Sequence, residues 1–214
     1  MAIVPADLLH FVRHGEVHNP ERILYGRLEN FGLSERGHQM AKRVADTLEV
    51  RPIVKVISSP LQRAQESAKP IADALGLDIA IDERLIEAEN SFEGTRLNVH
   101  NILTTPSTWS RFRNPWKPSW GEPYRVIADR MMAVAEDAME SVEEGEVVLV
   151  SHQLPIWMLH KWIAGIPLPH VPASRRCTLS SITSVRKVGG RWKEESYREP
   201  ASNLLEDAID LGAV

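Results

Sequence analysis

The chain alternates between short apolar runs and longer segments in which apolar residues recur every three or four positions. Residues 8–12, 54–58 and 147–150 form apolar runs that are too short for helices, and they predict buried strands. A further short strand is predicted at residues 79–81. Because helical patterns separate these runs, we expect an α/β protein with three layers, α/β/α, in which a mostly parallel central sheet is covered by helices on both faces.

Capping and breaking residues predict where the helices begin and end. Ser34 is a candidate N-cap for the first helix, and Gly76 ends the second. Pro70 lies inside the second helix and should kink or divide it, because proline removes an interior hydrogen-bond donor. A long helix should begin near Glu122 and stop near Gly145, since apolar residues between them line one face.

The last third of the chain combines a helical pattern with a hairpin pattern. Residues 154–163 predict a helix directly after the strand at 147–150. Residues 179–188 and 191–197 flank Gly189-Gly190, a dipeptide typical of a two-residue hairpin turn.

The segment at about 98–122 fits none of these patterns. It contains three of the tryptophans, Trp109, Trp116 and Trp120, and several prolines. We interpret residues 1–214 as a single domain that carries this segment as an irregular insertion. Two roles remain open for the insertion, a hydrophobic cluster beneath a long loop and a cap over an active site.

Composition narrows the classes of function. The 43% apolar and 25% charged residues are ordinary for a globular protein, and only the last fifteen residues are expected to be disordered. A net charge of −4 argues against a nucleic-acid partner. No apolar run approaches the ~20 residues that span a bilayer, so no membrane association is expected. Cys177 is the only cysteine, which excludes an internal disulfide and favours a cytoplasmic location.

Basic side chains follow three of the predicted strands. Arg13, His14 and Gly15 come directly after the first strand, Arg63 lies on the helical turn after the second, and His152 follows the strand at 147–150. The carboxyl ends of parallel strands meet at one edge of a sheet, so these groups can converge. A neutral imidazole is a nucleophile toward phosphorus, and guanidinium groups stabilise charge on transferring phosphoryl oxygens. The pattern therefore predicts phosphoryl transfer, which also requires an acid for the leaving group.

A series of motifs runs from residue 8 to about 155. They are Arg13-His14-Gly15-Glu16, Gly26-Arg27, Leu33-Ser34-Glu35-Arg36-Gly37, Ser58-Ser59-Pro60-Leu61-Gln62-Arg63-Ala64, Arg84-Leu85-Ile86-Glu87, Phe92-Glu93-Gly94, Gly121-Glu122 and Val148-Leu149-Val150-Ser151-His152. In content and order they resemble the histidine phosphatase superfamily, also called the phosphoglycerate mutase-like family.

The resemblance implies a role for each matching residue. His14 would be the nucleophile that becomes phosphorylated, and Glu87 would act first as the proton donor and then as the base. Arg13, Arg63 and His152 would bind the phosphoryl group.

Other positions near the motifs are further candidates. Asn19, Gly26 and Gln153 are candidates for substrate binding, although Gln153 replaces the glycine that is common in the family. Glu89 is a rival to the assigned acid, because the stretch that follows the assigned acid is one residue shorter than usual in the family. Glu16 could reach the site but is expected to orient the loop.

The expected function is that of a phosphomonoesterase that acts on a small phosphorylated metabolite through a phosphohistidine, without a metal or other cofactor. The alternative is a cofactor-dependent phosphoglycerate mutase. The residues after Glu87 differ from the motif of those mutases, and the insertion has no paired arginines, whereas Arg175-Arg176 comes too late in the chain. A non-catalytic phosphate-binding module is the third possibility. The protein could be a monomer or a homodimer.

Overall fold

The computed structural model describes residues 6–96 and 121–210. In these residues a six-stranded sheet has the order β3-β2-β4-β1-β5-β6. The strands are β1 (Leu8–Arg13), β2 (Ile53–Ser58), β3 (Ile79–Ile81), β4 (Glu146–Ser151), β5 (Ile182–Val188) and β6 (Arg191–Arg198). The first four strands are parallel, and β5 and β6 add an antiparallel edge. The predicted mostly parallel sheet is confirmed.

Helices cover both faces of the sheet, as the apolar patterns predict. They are α1 (Glu35–Leu48), α2 (Gln62–Leu75), α3 (Tyr124–Glu140) and α4 (Gln153–Ile163), with short 3-10 helices at Glu83–Leu85, Pro172–Ser174 and Ser202–Leu204. On β4, Val147 and Leu149 belong to the hydrophobic cluster formed with α3 and α4, whereas Val148 and Val150 belong to the cluster formed with α1 and α2. Because successive strand residues point to opposite faces, a continuously apolar strand serves both layers.

The caps of the first two helices agree with the prediction, whereas Pro70 does not divide α2. The Ser34 hydroxyl accepts a hydrogen bond from the Gly37 amide at the start of α1, and Gly76 ends α2 with a left-handed φ of 67°. The helix runs without a break through Pro70. Its buried face packs on the sheet, and this burial offsets the loss of one interior donor.

The hairpin prediction is also confirmed. β5 and β6 pair in register across Val188 and Arg191. Gly189 and Gly190 both have positive φ, at 58° and 77°, as a two-residue turn with matching twist requires.

The C-terminal residues up to 210 are packed, contrary to the expected disorder. Leu204, Leu205 and Ala208 lie against a small cluster formed by Met40, Leu179 and Ala201. The Ile209 amide then donates to the Glu16 carboxylate at 2.8 Å. These contacts bring the end of the described chain to the loop after β1.

The predicted insertion at about 98–122 lies outside the described residues except for its last two positions. Gly121 forms an isolated antiparallel bridge with Asn90, and Glu122 binds Arg27 and Arg130.

Candidate active site

Two histidines meet where β1 and β4 end. Because the strands pair with Arg13 opposite Ser151, the residues that follow lie side by side. The His14 amide donates to the Ser151 carbonyl at 3.1 Å, and the imidazole centroids of His14 and His152 are 5.1 Å apart. The register of two parallel strands therefore brings together residues that are far apart in sequence.

The surroundings of the His14 ring fix its tautomer and keep it neutral. Its Nδ1 lies 2.7 Å from the Gly15 carbonyl, which can only accept, so Nδ1 carries the proton and Nε2 keeps its lone pair. The ring is buried, and burial together with the charges of Arg63 and Arg13 holds its pKa well below the usual value. His14 is therefore neutral at physiological pH, with Nε2 unprotonated.

Arg13 is held from its outer end by the C-terminal segment. Its Nη1 donates to the Cys177 carbonyl at 2.6 Å and to Asp210 at 2.8 Å, and Nη2 donates to the second Asp210 oxygen. Burial alone would lower the pKa of Arg13, but the Asp210 carboxylate outweighs it and the pKa is raised. Asp210 thus compensates the buried charge of Arg13 and fixes its direction.

Arg63 reaches the same place from the first turn of α2. Its Nη2 donates to the Gly26 carbonyl at 2.6 Å, and its guanidinium carbon lies 4.8 Å from the centroid of the Tyr25 ring. Gly26 has a φ of 38°, and a Cβ there would lie 2.2 Å from Glu93. This position was predicted to bind substrate, and in the structure its carbonyl orients Arg63.

His152 lies at the N-terminus of α4, where its own carbonyl accepts from the Ile156 amide. Its Nε2 is 2.7 Å from the Ser59 hydroxyl, which can donate to it. Nδ1 is then available to carry the proton and to act as a donor. Burial, followed by the charge of Arg63, holds the pKa of His152 well below its usual value.

Three buried nitrogens at this site have no partner among the described residues. They are Arg13 Nε, Arg63 Nε and His152 Nδ1. Buried polar atoms are nearly always hydrogen-bonded, so a group of orphaned donors indicates a ligand with several acceptor oxygens. A phosphoryl group meets this requirement, since each of its oxygens accepts from more than one donor.

The two candidate acids have different surroundings. Glu87 is 2% exposed and accepts from the Ala88 amide at 2.8 Å, and burial raises its pKa although Arg63 and Arg13 oppose the shift. The Glu89 side chain is 70% exposed and pairs with Arg27 at 3.0 Å. Glu87 combines burial with a raised pKa, whereas the Glu89 side chain is exposed, so the geometry favours Glu87 as the acid.

The loop after β1 is held by close packing and by hydrogen bonds within the chain. A Cβ on Gly15 would lie 2.5 Å from the Gly37 carbonyl, so glycine is required here for the approach of α1. The Glu16 carboxylate accepts from the Ser34 hydroxyl and from Arg36, in agreement with its predicted role of orienting the loop. Both ends of the Asn19 amide bind the backbone of Ile23, which closes the loop, and the substrate-binding role of Asn19 stays a prediction.

Gln153 connects the site to a residue that the sequence patterns missed. Its Oε1 accepts from Arg175 at 3.3 Å, and its Nε2 donates to the Cys177 carbonyl that also binds Arg13. In the sequence, Arg175 is excluded as part of a mutase-type pair of arginines because it comes late in the chain. Tyr25 and Asp210 were missed as well, since neither follows a strand end and no motif marks them.

Neither a metal cluster nor a membrane-spanning helix is found in residues 6–96 and 121–210. No group of three or more histidine, cysteine or carboxylate side chains there could hold a metal ion. No helix in the same ranges is long and apolar enough to cross a membrane.

Residues 9–200 match the family model of the histidine phosphatase superfamily (branch 1). The chain belongs to this superfamily. It is 49% identical over 195 residues to the uncharacterized protein Rv0525 of Mycobacterium tuberculosis, and the match covers 91% of this chain and 96% of that protein. It is 31% identical over 183 residues to the probable phosphoglycerate mutase GpmB of an Enterobacter species, with 83% of each covered.

A solved structure of a phosphatase has the same fold. The mycobacterial glucosyl-3-phosphoglycerate phosphatase Rv2419c, in complex with VO3, superimposes with a TM-score of 0.71 at 26% identity, covering 89% of this chain and 98% of that one. The superfamily and its solved members thus support the assignment of this chain to phosphatase-like enzymes that act on small phosphorylated substrates.

Proposed function

We propose that the protein is a phosphomonoesterase that works through a phosphohistidine at His14. The observation that carries the proposal is the set of three orphaned donors, on Arg13, Arg63 and His152, around a histidine whose Nε2 is unprotonated. Such a site binds phosphoryl oxygens and presents a nucleophile to the phosphorus.

The first step transfers the phosphoryl group to the enzyme. His14 Nε2 attacks phosphorus, a nitrogen–phosphorus bond forms, and the bond from phosphorus to the ester oxygen breaks. Protonated Glu87 gives its proton to that oxygen, so an alcohol leaves rather than an alkoxide. The orphaned donors stabilise the charge that spreads over the transferring oxygens.

The second step regenerates the enzyme. Glu87 is now a carboxylate and takes a proton from water as the water oxygen attacks the phosphorus of phosphohistidine. The nitrogen–phosphorus bond breaks, orthophosphate leaves, and His14 and Glu87 return to their initial protonation states. The raised pKa of Glu87 suits both roles, because it lies closer to neutral pH than that of a solvated carboxyl.

A phosphoglycerate mutase is the second candidate, and the similarity to GpmB favours it. In that reaction, the phosphohistidine would return its phosphoryl group to a bound glycerate phosphate. The two activities differ in products. Incubation with 3-phosphoglycerate and its bisphosphate cofactor yields the 2-phospho isomer if the protein is a mutase, and free phosphate with glycerate if it is a phosphatase.

The variant His14→Ala tests the nucleophile. We expect turnover of an aryl phosphate to fall by several orders of magnitude, because uncatalysed hydrolysis of phosphate monoesters is extremely slow. Acid-labile, alkali-stable labelling from a radioactive ester should disappear at the same time. The matched control is His38→Ala, which removes an exposed histidine from α1. Retention of more than about one per cent of the activity in His14→Ala, against the large loss expected for a nucleophile, would contradict the proposal.

A further inference from the structure

Arg175 is a buried cation whose described hydrogen bonds go only to neutral groups. It follows the 3-10 helix Pro172–Ser174 and is 9% exposed. Its Nε donates to His170 Nε2 at 2.8 Å, and its Nη1 donates to the amide oxygen of Gln153 at 3.3 Å. Within the part of the chain that the structure describes, no carboxylate forms an ion pair with it.

The partner on the Nε side is a neutral histidine. His170 Nδ1 lies 2.9 Å from the Leu168 carbonyl and therefore carries the proton, which leaves Nε2 as an acceptor for Arg175. Burial lowers the pKa of His170 to about 4, and the charge of Arg175 acts in the same direction. His170 thus orients the guanidinium without neutralising its charge.

A chain of hydrogen bonds connects Arg175 to the phosphoryl site. Gln153, next to His152, links Arg175 to the Cys177 carbonyl, and this carbonyl also accepts from Arg13. The charge of Arg175 is one of those that oppose the rise in the Glu87 pKa. The Gln153 side chain and the Cys177 carbonyl therefore lie between Arg175 and Arg13, the arginine proposed to bind phosphate.

Glu87 offsets part of the effect of burial on the pKa of Arg175, but it is not an ion-pair partner of Arg175 in the described residues. No described hydrogen bond joins Glu87 to Arg175, and burial favours the neutral form of this carboxyl before reaction. A guanidinium removed from water and surrounded by neutral acceptors is unfavourable unless an anion joins it. Nη2 of Arg175 takes part in no described hydrogen bond, so this donor is available to a ligand, as are the orphaned nitrogens of the phosphoryl site.

We propose that Arg175 binds a second anionic group of the substrate, a carboxylate or a further phosphate, next to the ester that reacts at His14. The inference rests on the proposed phosphomonoesterase activity and narrows its substrate class to phosphate esters that carry such a group. Gln153 and His170 are positioning residues in this subsite, since they orient the guanidinium.

Binding to the inactive His14→Ala protein tests the subsite without turnover. Calorimetry compares 3-phosphoglycerate, which carries a carboxylate, with glycerol 3-phosphate, which has a hydroxymethyl group in its place. Glycerol 1,3-bisphosphate supplies the second phosphate. We expect one of the two doubly anionic esters to bind about 10- to 100-fold more tightly than glycerol 3-phosphate, as for a charge-assisted hydrogen bond in a buried site. Which of them does so identifies the anion.

Adding Arg175→Met to this protein should remove the preference and leave the affinity for glycerol 3-phosphate within about threefold, since the phosphoryl donors are untouched. Arg176→Met is the matched control, because Arg176 is the neighbouring arginine but pairs at the surface with Glu194. It should keep the preference. Arg175→Lys, which retains the charge, should restore part of it.

Two results would overturn the inference. One is equal affinity of all three esters for His14→Ala, which is informative even if Arg175→Met does not fold. The other is an equal loss for all three esters in a folded Arg175→Met variant, which would assign Arg175 to the phosphoryl site or to the fold. Failure of the wild-type protein to release phosphate from any ester would instead contradict the proposed function, and the binding preference is measured independently of it.

Discussion

The two ends of the central strands carry clusters built from the same residue types. At the amino ends, His10 of β1 and Glu146 of β4 meet Arg51 and Ser184. At the carboxyl ends, His14 and His152 meet two arginines and a glutamate. The histidines and glutamates of both clusters are buried, although the Arg51 side chain is 35% exposed, and a list of residues alone would not separate the clusters.

The two clusters differ in whether their polar atoms have hydrogen-bond partners. His10 uses both ring nitrogens, with Ser184 and Glu146 each at 2.8 Å, and Glu146 also accepts from Arg51 at 2.9 Å. Among residues 6–96 and 121–210, none of the orphaned buried atoms belongs to this cluster. At the other end, three nitrogens are orphaned, and the only carboxylate in the same ranges that pairs with either arginine is that of Asp210, near the C-terminus. Polar groups that bind each other stabilise the fold, whereas unpartnered groups are available to a ligand.

The largest effect is expected on catalysis, from a change to Glu87 at the carboxyl ends of the strands. Glu87→Gln keeps the shape of the side chain but removes the proton-transfer function proposed for it. We expect turnover of alkyl phosphates to fall by about 10²- to 10⁴-fold, with a much smaller loss for aryl phosphates, whose leaving groups need little protonation. Steady-state kinetics on one ester of each type measures the ratio.

Glu89→Gln is the control for that experiment, because its side chain is exposed and pairs with Arg27. Its effect on both esters should be small. An alkyl-specific loss in Glu89→Gln, with none in Glu87→Gln, would reverse the assignment.

At the amino ends, the expected effect is on stability. Glu146→Gln removes the charge that accepts from His10 and Arg51, both of them charge-assisted partners when protonated. Loss of a hydrogen bond to a charged group costs about 1.5–3 kcal/mol of unfolding free energy, whereas kcat should be unchanged. Denaturant unfolding measures the loss, and Glu140→Gln, an exposed change on α3, is the control. A tenfold fall in kcat at full stability would mean that this cluster also serves the reaction.

The smallest effect is expected for Asp210. Its carboxylate pairs within the protein, as the groups at the amino ends do, but the arginine that it binds belongs to the candidate active site. This carboxylate binds the outer end of Arg13 and leaves Nε free. In Asp210→Asn the amide group faces a guanidinium nitrogen, so Arg13 is less firmly oriented, and we expect kcat/KM for an aryl phosphate to fall by about three- to tenfold. A rise in kcat/KM through a lower KM would show that Asp210 competes with the substrate instead of positioning Arg13.

Much of the fold follows from local pattern. The apolar runs of β1 and β4 are buried on both faces, and glycine pairs and caps mark turns by their own backbone requirements, so these elements are readable from neighbouring residues. Pro70 shows the limit of local rules, since the packing of α2 on the sheet overrides one missing donor. Within the candidate site, the sequence predicted those residues that lie at or just after the ends of strands.

The sequence by itself determined the α/β alternation, the family motifs and the basic residues that end three strands, because each depends on short-range order along the chain. Only the tertiary structure distinguished buried Glu87 from exposed Glu89 and brought Tyr25, Arg175 and Asp210 to the same place. Burial and pairing depend on contacts between segments far apart in sequence, and no local pattern encodes them. The same contacts show which of two similar clusters of polar residues has donors available to a substrate.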